Sequence, residues 1–295
     1  MNRSLSYKLS ILVFTLPALI LFSVVVCYPI LNTFHTSLYD WDGVNFSFAK
    51  FVGIDNYVTL FQDPDFFKAS NNGLMFAAVL VVYQLGLGTL FALLLSNKDL
   101  RAKRFFKTAY FIPVVLSVAV VCLLWLSIFN PEHGLLNKLF QVLGISYQQA
   151  WLSDMNISIL AVAFVNAWQY MGIQLVLIYA AIKSIPEHYY EAATIDGAST
   201  AKAHWYVTFP LLAETYKFCL VIAITGGLKA FEQMYIMTGG GPGTATYTIT
   251  YHMYSAAFRS NEYGYACSSA ILLVVQCLLF TVLINKFIAR ERIVY

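Results

Sequence analysis

Lys229 and Glu232 stand three residues apart in an apolar run that extends from about Phe218 to Thr238. Charged groups inside such a run are expensive in a bilayer, so they suggest a functional role in a wetted interior. On one continuous helix the two would face each other. A structural ion pair beside a water-filled cavity and direct contact with a solute are both open readings. A second polar group, Asn166, Gln169, Tyr170 and Gln174, lies in the run 157–182. Asn166 and Tyr170 are four apart and share a helical face. Amides beside aromatic rings suit sugar hydroxyls, and the same amides also hydrogen-bond one helix to another.

Groups for covalent or metal chemistry are not gathered in this sequence. The histidines (His35, His133, His188, His204 and His252) are scattered among loops and span ends, without HExxH spacing. All five cysteines (Cys27, Cys122, Cys219, Cys267, Cys277) fall in apolar stretches without CxxC spacing, which reads as small buried hydrophobes. The run Gly239-Gly240-Gly241-Pro242-Gly243 invites a phosphate-loop reading. It lacks the following Lys-Ser/Thr and a preceding strand, so a tight turn is the better account.

The elements that carry these groups follow from composition. Of the 295 residues, 59% are hydrophobic and 11% are charged, against roughly 25% charged in soluble proteins. That predicts a polytopic membrane protein. Apolar runs near 9–31, 73–95, 108–129, 157–182 and 265–285, with the interrupted run 218–238, predict six spans. The first has basic flanking residues but is too long for a signal-peptide core, so it reads as an uncleaved span. Thirteen Lys and Arg residues fall in the N-terminus, the loops after spans two and four, and the tail; four fall in the opposite loops. The positive-inside rule therefore places both termini in the cytoplasm. Expected divisions are 1–69 (first span plus an external loop rich in aromatics), 70–289 (transmembrane core) and 290–295 (short cytoplasmic tail).

On the cytoplasmic side, by this rule, lies "SIPEHYYEAATIDGASTAKAHWYVTFPLL". Ser184-Ile-Pro-Glu187 reads as a helix start, with a serine cap, a first-turn proline and a glutamate bonding back. Asp196-Gly197 ends that helix, because glycine takes the left-handed conformation at little cost. Ser199 or Thr200 caps a second short helix, and Pro210 fixes the start of the fifth span.

The residue order in this stretch resembles the EAA loop of ABC-transporter permeases. Glu191, Ala192, Ala193, Asp196, Gly197, Ala198 and Pro210 match that pattern. His204 stands where phenylalanine is usual, and Phe209 replaces a leucine. The segment "MTGGGPGTAT" and the early "DWDGVNFSFAKFVGIDNYVTLFQDPDF" are similar to the carbohydrate branch, which includes the maltose and glycerol-phosphate importers. The resemblance implies an all-α integral membrane fold, the type I ABC importer permease fold, with six transmembrane helices and a cytoplasmic coupling helix. It implies no enzymatic activity and no cofactor, since ATP would be bound by partner subunits. The implied partners are a second homologous permease subunit forming a heterodimer, two cytoplasmic ATPase subunits, an extracytoplasmic solute-binding protein, membrane lipid and a sugar; no nucleic acid is expected. The implied location is the bacterial cytoplasmic membrane.

Within that family, offset from the EAA glutamate points to Asn166 and Tyr170 on the fourth span, and to Gly227 and Ala230 on the fifth. Gly227 and Ala230 lack amide side chains, so the maltose-type site is not simply carried over. With Gln169, Lys229 and Glu232, these residues form the expected solute pathway. An uncharged saccharide is the expected solute, with glycerol phosphate as the alternative. A secondary transporter would need coupling carboxylates near the midplane and inverted repeats; only Glu232, off-centre, offers the first.

Overall fold

The computed structural model describes residues 3–97, Leu100 and 103–288. Among them, five helices are long and apolar enough to cross a membrane, and a bent helix pair makes a sixth span. In chain order these are α1 (Ile11–Thr36), α2 (Pro64–Ser96), the bent pair α3 (Lys103–Val115) and α4 (Val118–Ile128), and α5 (Ser158–Ser184). The short α6 (Glu187–Ile195) follows, then α7 (Ala213–Leu228) and α8 (Glu232–Met237), and finally α9 (Tyr263–Phe287). Two-residue strands β1 (Tyr39–Asp40) and β2 (Lys50–Phe51) pair antiparallel, with Tyr39 opposite Phe51.

The chain divides into two compact units. One contains the chain up to Asp63 together with His252–Leu272. Its loop is ordered by ring contacts among His35, Tyr39, Phe46 and Trp41, and by Trp41 against Tyr263. Asp63 Oδ2 accepts from the Tyr265 hydroxyl at 2.6 Å and lies 3.0 Å from His252 Nε2.

The second unit contains Pro64–Tyr251 and the chain from Leu273 onward. α5 is its axis, because alanine and valine on several faces let neighbours approach closely. Val162, Ala163 and Val165 are fully buried, packed with Phe76 and Leu80 of α2, Val121 of α4 and Met234 of α8. Where α7 crosses α2, Gly227 meets Ala77 so closely that an added Cβ would lie 2.5 Å from the Ala77 Cα. The glycine-rich loop after α8 is fastened to α2 by one side chain. Asn72 Nδ2 donates to the carbonyls of Thr244, Ala245 and Tyr247 at 3.4, 3.0 and 2.9 Å.

The third span is bent, with α3 and α4 meeting at 102°, and two expectations are corrected. Pro113 lacks an amide hydrogen, and Ser117 starts a new helix by accepting from the Val120 amide. The fifth span breaks at Lys229–Phe231, so Lys229 follows the last turn of α7, Glu232 opens α8, and the two do not face each other on one helix. Ser184 does not cap α6. It is the last residue of α5, and its hydroxyl donates back to the Ala181 carbonyl at 2.8 Å. Pro186 holds the preceding Ile185 extended and is itself the residue before α6.

Lys98, Arg101, Arg290 and Arg292, used in the charge count, and the tail 290–295 lie outside the described residues.

Candidate solute pathway and cytoplasmic helical element

The break in the fifth span opens a cavity of about 270 Å³ between α2, α5, α7 and α8. Gln84, Asn166, Tyr170, Gln174, Lys229 and Glu232 line it, with Ala230 and Gln233. Gln84 Nε2 donates to Asn166 Oδ1 at 3.4 Å, which joins α2 to α5. Gln174 Nε2 donates to the Cys219 carbonyl at 3.3 Å, while its Oε1 is buried with no partner. Gln233 Nε2 is likewise buried without one. A buried polar atom left unpaired is costly. Both residues line the cavity, and the unpaired atoms themselves are buried behind its surface.

Lys229 and Glu232 are both exposed and form no ion pair with each other. Glu232 lies within electrostatic reach of Tyr170, and Lys229 within reach of Cys277.

Of the pathway residues expected from sequence, Asn166, Tyr170, Lys229, Ala230 and Glu232 are brought together here. Gln169 and Gly227 are placed elsewhere. Gln169 Nε2 donates to the Leu116 carbonyl at 3.1 Å, at the bend of the third span, and Gly227 is the crossing point with α2. Sequence reasoning left out Gln84 and Gln233. Each is a single amide in an apolar stretch, and that was the available signal.

At the end of α5 the chain forms an exposed helical element. Glu191 and Ala192 are exposed on α6, and Asp196 follows its last turn. Gly197 has φ +75°, the left-handed region. The Gly197 amide donates to the Thr194 carbonyl and the Ala198 amide to Ala193 at 2.9 Å. This is a Schellman ending, and it explains why Ala193, Gly197 and Ala198 act as a unit. Ser199 then caps the next turn by accepting from the Lys202 amide at 3.5 Å.

The two arms are held together at Thr208, whose hydroxyl meets the Tyr190 hydroxyl at 2.9 Å and His204 Nδ1 at 3.0 Å. Partial burial holds the His204 pKa below its usual value. Pro210 lies in the helical turn Phe209–Leu211 that leads to α7. Ile195, Trp205 and Tyr206 are 86%, 67% and 73% exposed, an unusual cost in water for three large apolar side chains on one short element.

Apolar spans, an internal polar cavity and an exposed helical element at the span ends describe a membrane-transport component. The sequence matches the family of binding-protein-dependent transport system inner membrane components over residues 84–293. It is 38% identical to the probable ABC transporter permease protein YurN of Bacillus subtilis (strain 168), covering 93% of this chain and 94% of that protein. It is 35% identical to the multiple sugar-binding transport system permease protein MsmF of Streptococcus mutans serotype c (strain ATCC 700610 / UA159), covering 89% of each. Its fold matches a chain of a bacterial alginate ABC transporter, solved in complex with an alginate pentasaccharide-bound periplasmic protein. That match has a TM-score of 0.83 at 21% identity, over 99% of this chain and 98% of the other. The chain belongs to the family of inner-membrane components of binding-protein-dependent transport systems.

Proposed function

We propose that this chain is one permease subunit of an ATP-driven importer in a bacterial cytoplasmic membrane, and that its solute is an uncharged saccharide. The observation that carries this reading is the cavity lined by the amide residues Gln84, Asn166, Gln174 and Gln233 together with Tyr170. Several relatives are named for sugar transport, among them MsmF. Asn166, Tyr170, Ala230, Lys229 and Glu232 line the solute path, while Gln169 and Gly227 hold its walls.

A second, homologous permease supplies the other half of the pathway, and an external solute-binding protein delivers the sugar. Two ATPase subunits dock on the element from Glu191 to Pro210, which faces the cytoplasm. Exposed Ile195, Trp205 and Tyr206 give that docking its apolar contact, and Glu191 gives it an ionic one. A short helix with a closed C-terminal turn transmits a push as a rigid body, so ATPase closure reaches α5 and α7.

Reconstitution of the chain with its partner permease, ATPase and binding protein in liposomes tests this. A panel of neutral mono- and oligosaccharides is expected to stimulate ATP hydrolysis and to accumulate inside. Stimulation by glycerol phosphate with none by any sugar would reverse the solute assignment. Failure to retain an ATPase would remove the importer reading altogether.

A further inference from the structure

We propose that a second cavity, at the end of the spans nearest α6, holds one membrane phospholipid with an amine-bearing zwitterionic headgroup. The cavity measures about 550 Å³ and is lined by Glu214, Thr215, Lys217, Phe218 and Val221 beside α9's Thr281 and Asn285. Its depth fits a headgroup. Glu214 and Lys217 lie in the first turns of α7, and Asn285 lies two residues from the end of α9. All three therefore sit at the polar boundary.

The spacing supplies the shape. Glu214, Lys217, Phe218 and Val221 fall at i, i+3, i+4 and i+7, one stripe of α7. Leu278, Thr281, Val282 and Asn285 repeat that spacing on α9. Each stripe is polar at the membrane boundary and apolar toward the midplane. Phe218, Leu278 and Val282 are all more than half exposed. A polar head above two apolar rails is the form of a phospholipid.

The charges choose the headgroup. Lys217 Nζ lies 2.6 Å from Glu214 Oε2, with the two side chains 20% and 38% exposed. The pair has no net charge. A phosphate alone would meet Glu214, and an amine alone would meet Lys217. A headgroup carrying both groups places phosphate on Lys217 and ammonium on Glu214, each as a charge-assisted hydrogen bond. The Thr215 hydroxyl and the Asn285 amide make no side-chain hydrogen bond among the described residues, which leaves both for phosphate oxygens.

The test uses the purified complex, stripped of lipid in detergent and examined by native mass spectrometry. Phosphatidylethanolamine, phosphatidylcholine and phosphatidylglycerol with matched chains are added separately. Phosphatidylethanolamine is expected to be retained about tenfold more than either, a difference of one charge-assisted contact. Methylation removes the ammonium donors of the choline lipid, and the glycerol lipid has no amine. The double variant E214Q/K217Q, which removes both charges together, is expected to lose the preference. The single variant E214Q, which leaves Lys217, is expected to favour phosphatidylglycerol. Equal retention of the three lipids, or an unchanged preference in the double variant, overturns the proposal. So does cross-linking of a cysteine at position 285 to the partner permease with no lipid retained, since the cavity is then a subunit interface. None of these readouts depends on which solute is transported.

Discussion

Gln169 reaches from α5 to the carbonyl of Leu116, 3.1 Å from its Nε2, at the bend where the third span turns by 102°. A carbonyl released from a helix inside a membrane needs a partner, because no water is at hand. A polar side chain expected from sequence to line the solute path is thus committed to the architecture of the span beside it.

Gln169→Leu is therefore expected to leave the Leu116 carbonyl unsatisfied and to destabilise the chain by about 1–2 kcal/mol. Thermal unfolding in detergent would reveal it as a lowered midpoint. An unchanged midpoint would mean that the bend holds without this hydrogen bond.

Asn166→Ala is expected to raise the KM for solute by about tenfold, the worth of one buried hydrogen bond. Assembly with partner subunits should be unaffected, because Asn166 lines the cavity and its hydrogen bond to Gln84 is long, at 3.4 Å. Unchanged uptake kinetics would reassign Asn166 to joining α2 and α5.

At Gly227 any side chain collides with the backbone of Ala77. Gly227→Val should cost about 1–3 kcal/mol through overpacking. Its neighbour Gly226, where an added Cβ meets nothing within 4 Å, is the control. Gly226→Ala should leave thermal stability near that of the parent. Equal effects at both positions would contradict the crossing geometry.

Gly197→Val places a β-branched residue at φ +75°, a conformation such residues avoid. Glu191→Lys reverses an exposed charge. Both variants are expected to insert normally yet lose sugar-stimulated ATP hydrolysis. Breaking a partly desolvated ion pair costs on the order of 2–5 kcal/mol, enough to release a docked subunit. If both variants keep full coupling in subunit-retention and hydrolysis assays, the element is only a connector.

Sidedness can be checked with single cysteines on a cysteine-free background. Position 103 should react with an impermeant thiol reagent only after the membrane is opened, and position 244 from the outside of intact cells. The reverse pattern would put the Glu191–Pro210 element on the wrong side for ATP.

The spans were legible in the sequence because hydropathy integrates over many residues and tolerates local irregularity. That tolerance is also what hid the breaks. The breaks are only two or three residues long, too short to move an average taken over a whole span, and only Pro113, Ser117 and the charges at 229 and 232 marked them. The turn at Gly197 was legible because a left-handed residue depends on local chemistry alone. The cavity was half legible. Asn166 and Tyr170 share a face by helical period, whereas Gln84 joins them from another helix, a contact that no one-dimensional spacing encodes. Ser184 misled because a serine hydroxyl bonds forward as a cap or backward onto its own helix equally well, and Pro186 decided the matter two residues later.

Asn72 divides its two amide hydrogens among three carbonyls of the glycine-rich loop. A segment rich in glycine is ordinarily the softest part of a chain, yet this one is stitched at Thr244, Ala245 and Tyr247 to a 33-residue helix. The loop therefore has no independent swing. It travels with α2. A tilt of that helix therefore reaches the loop as one rigid displacement, not as a flexing of its glycines.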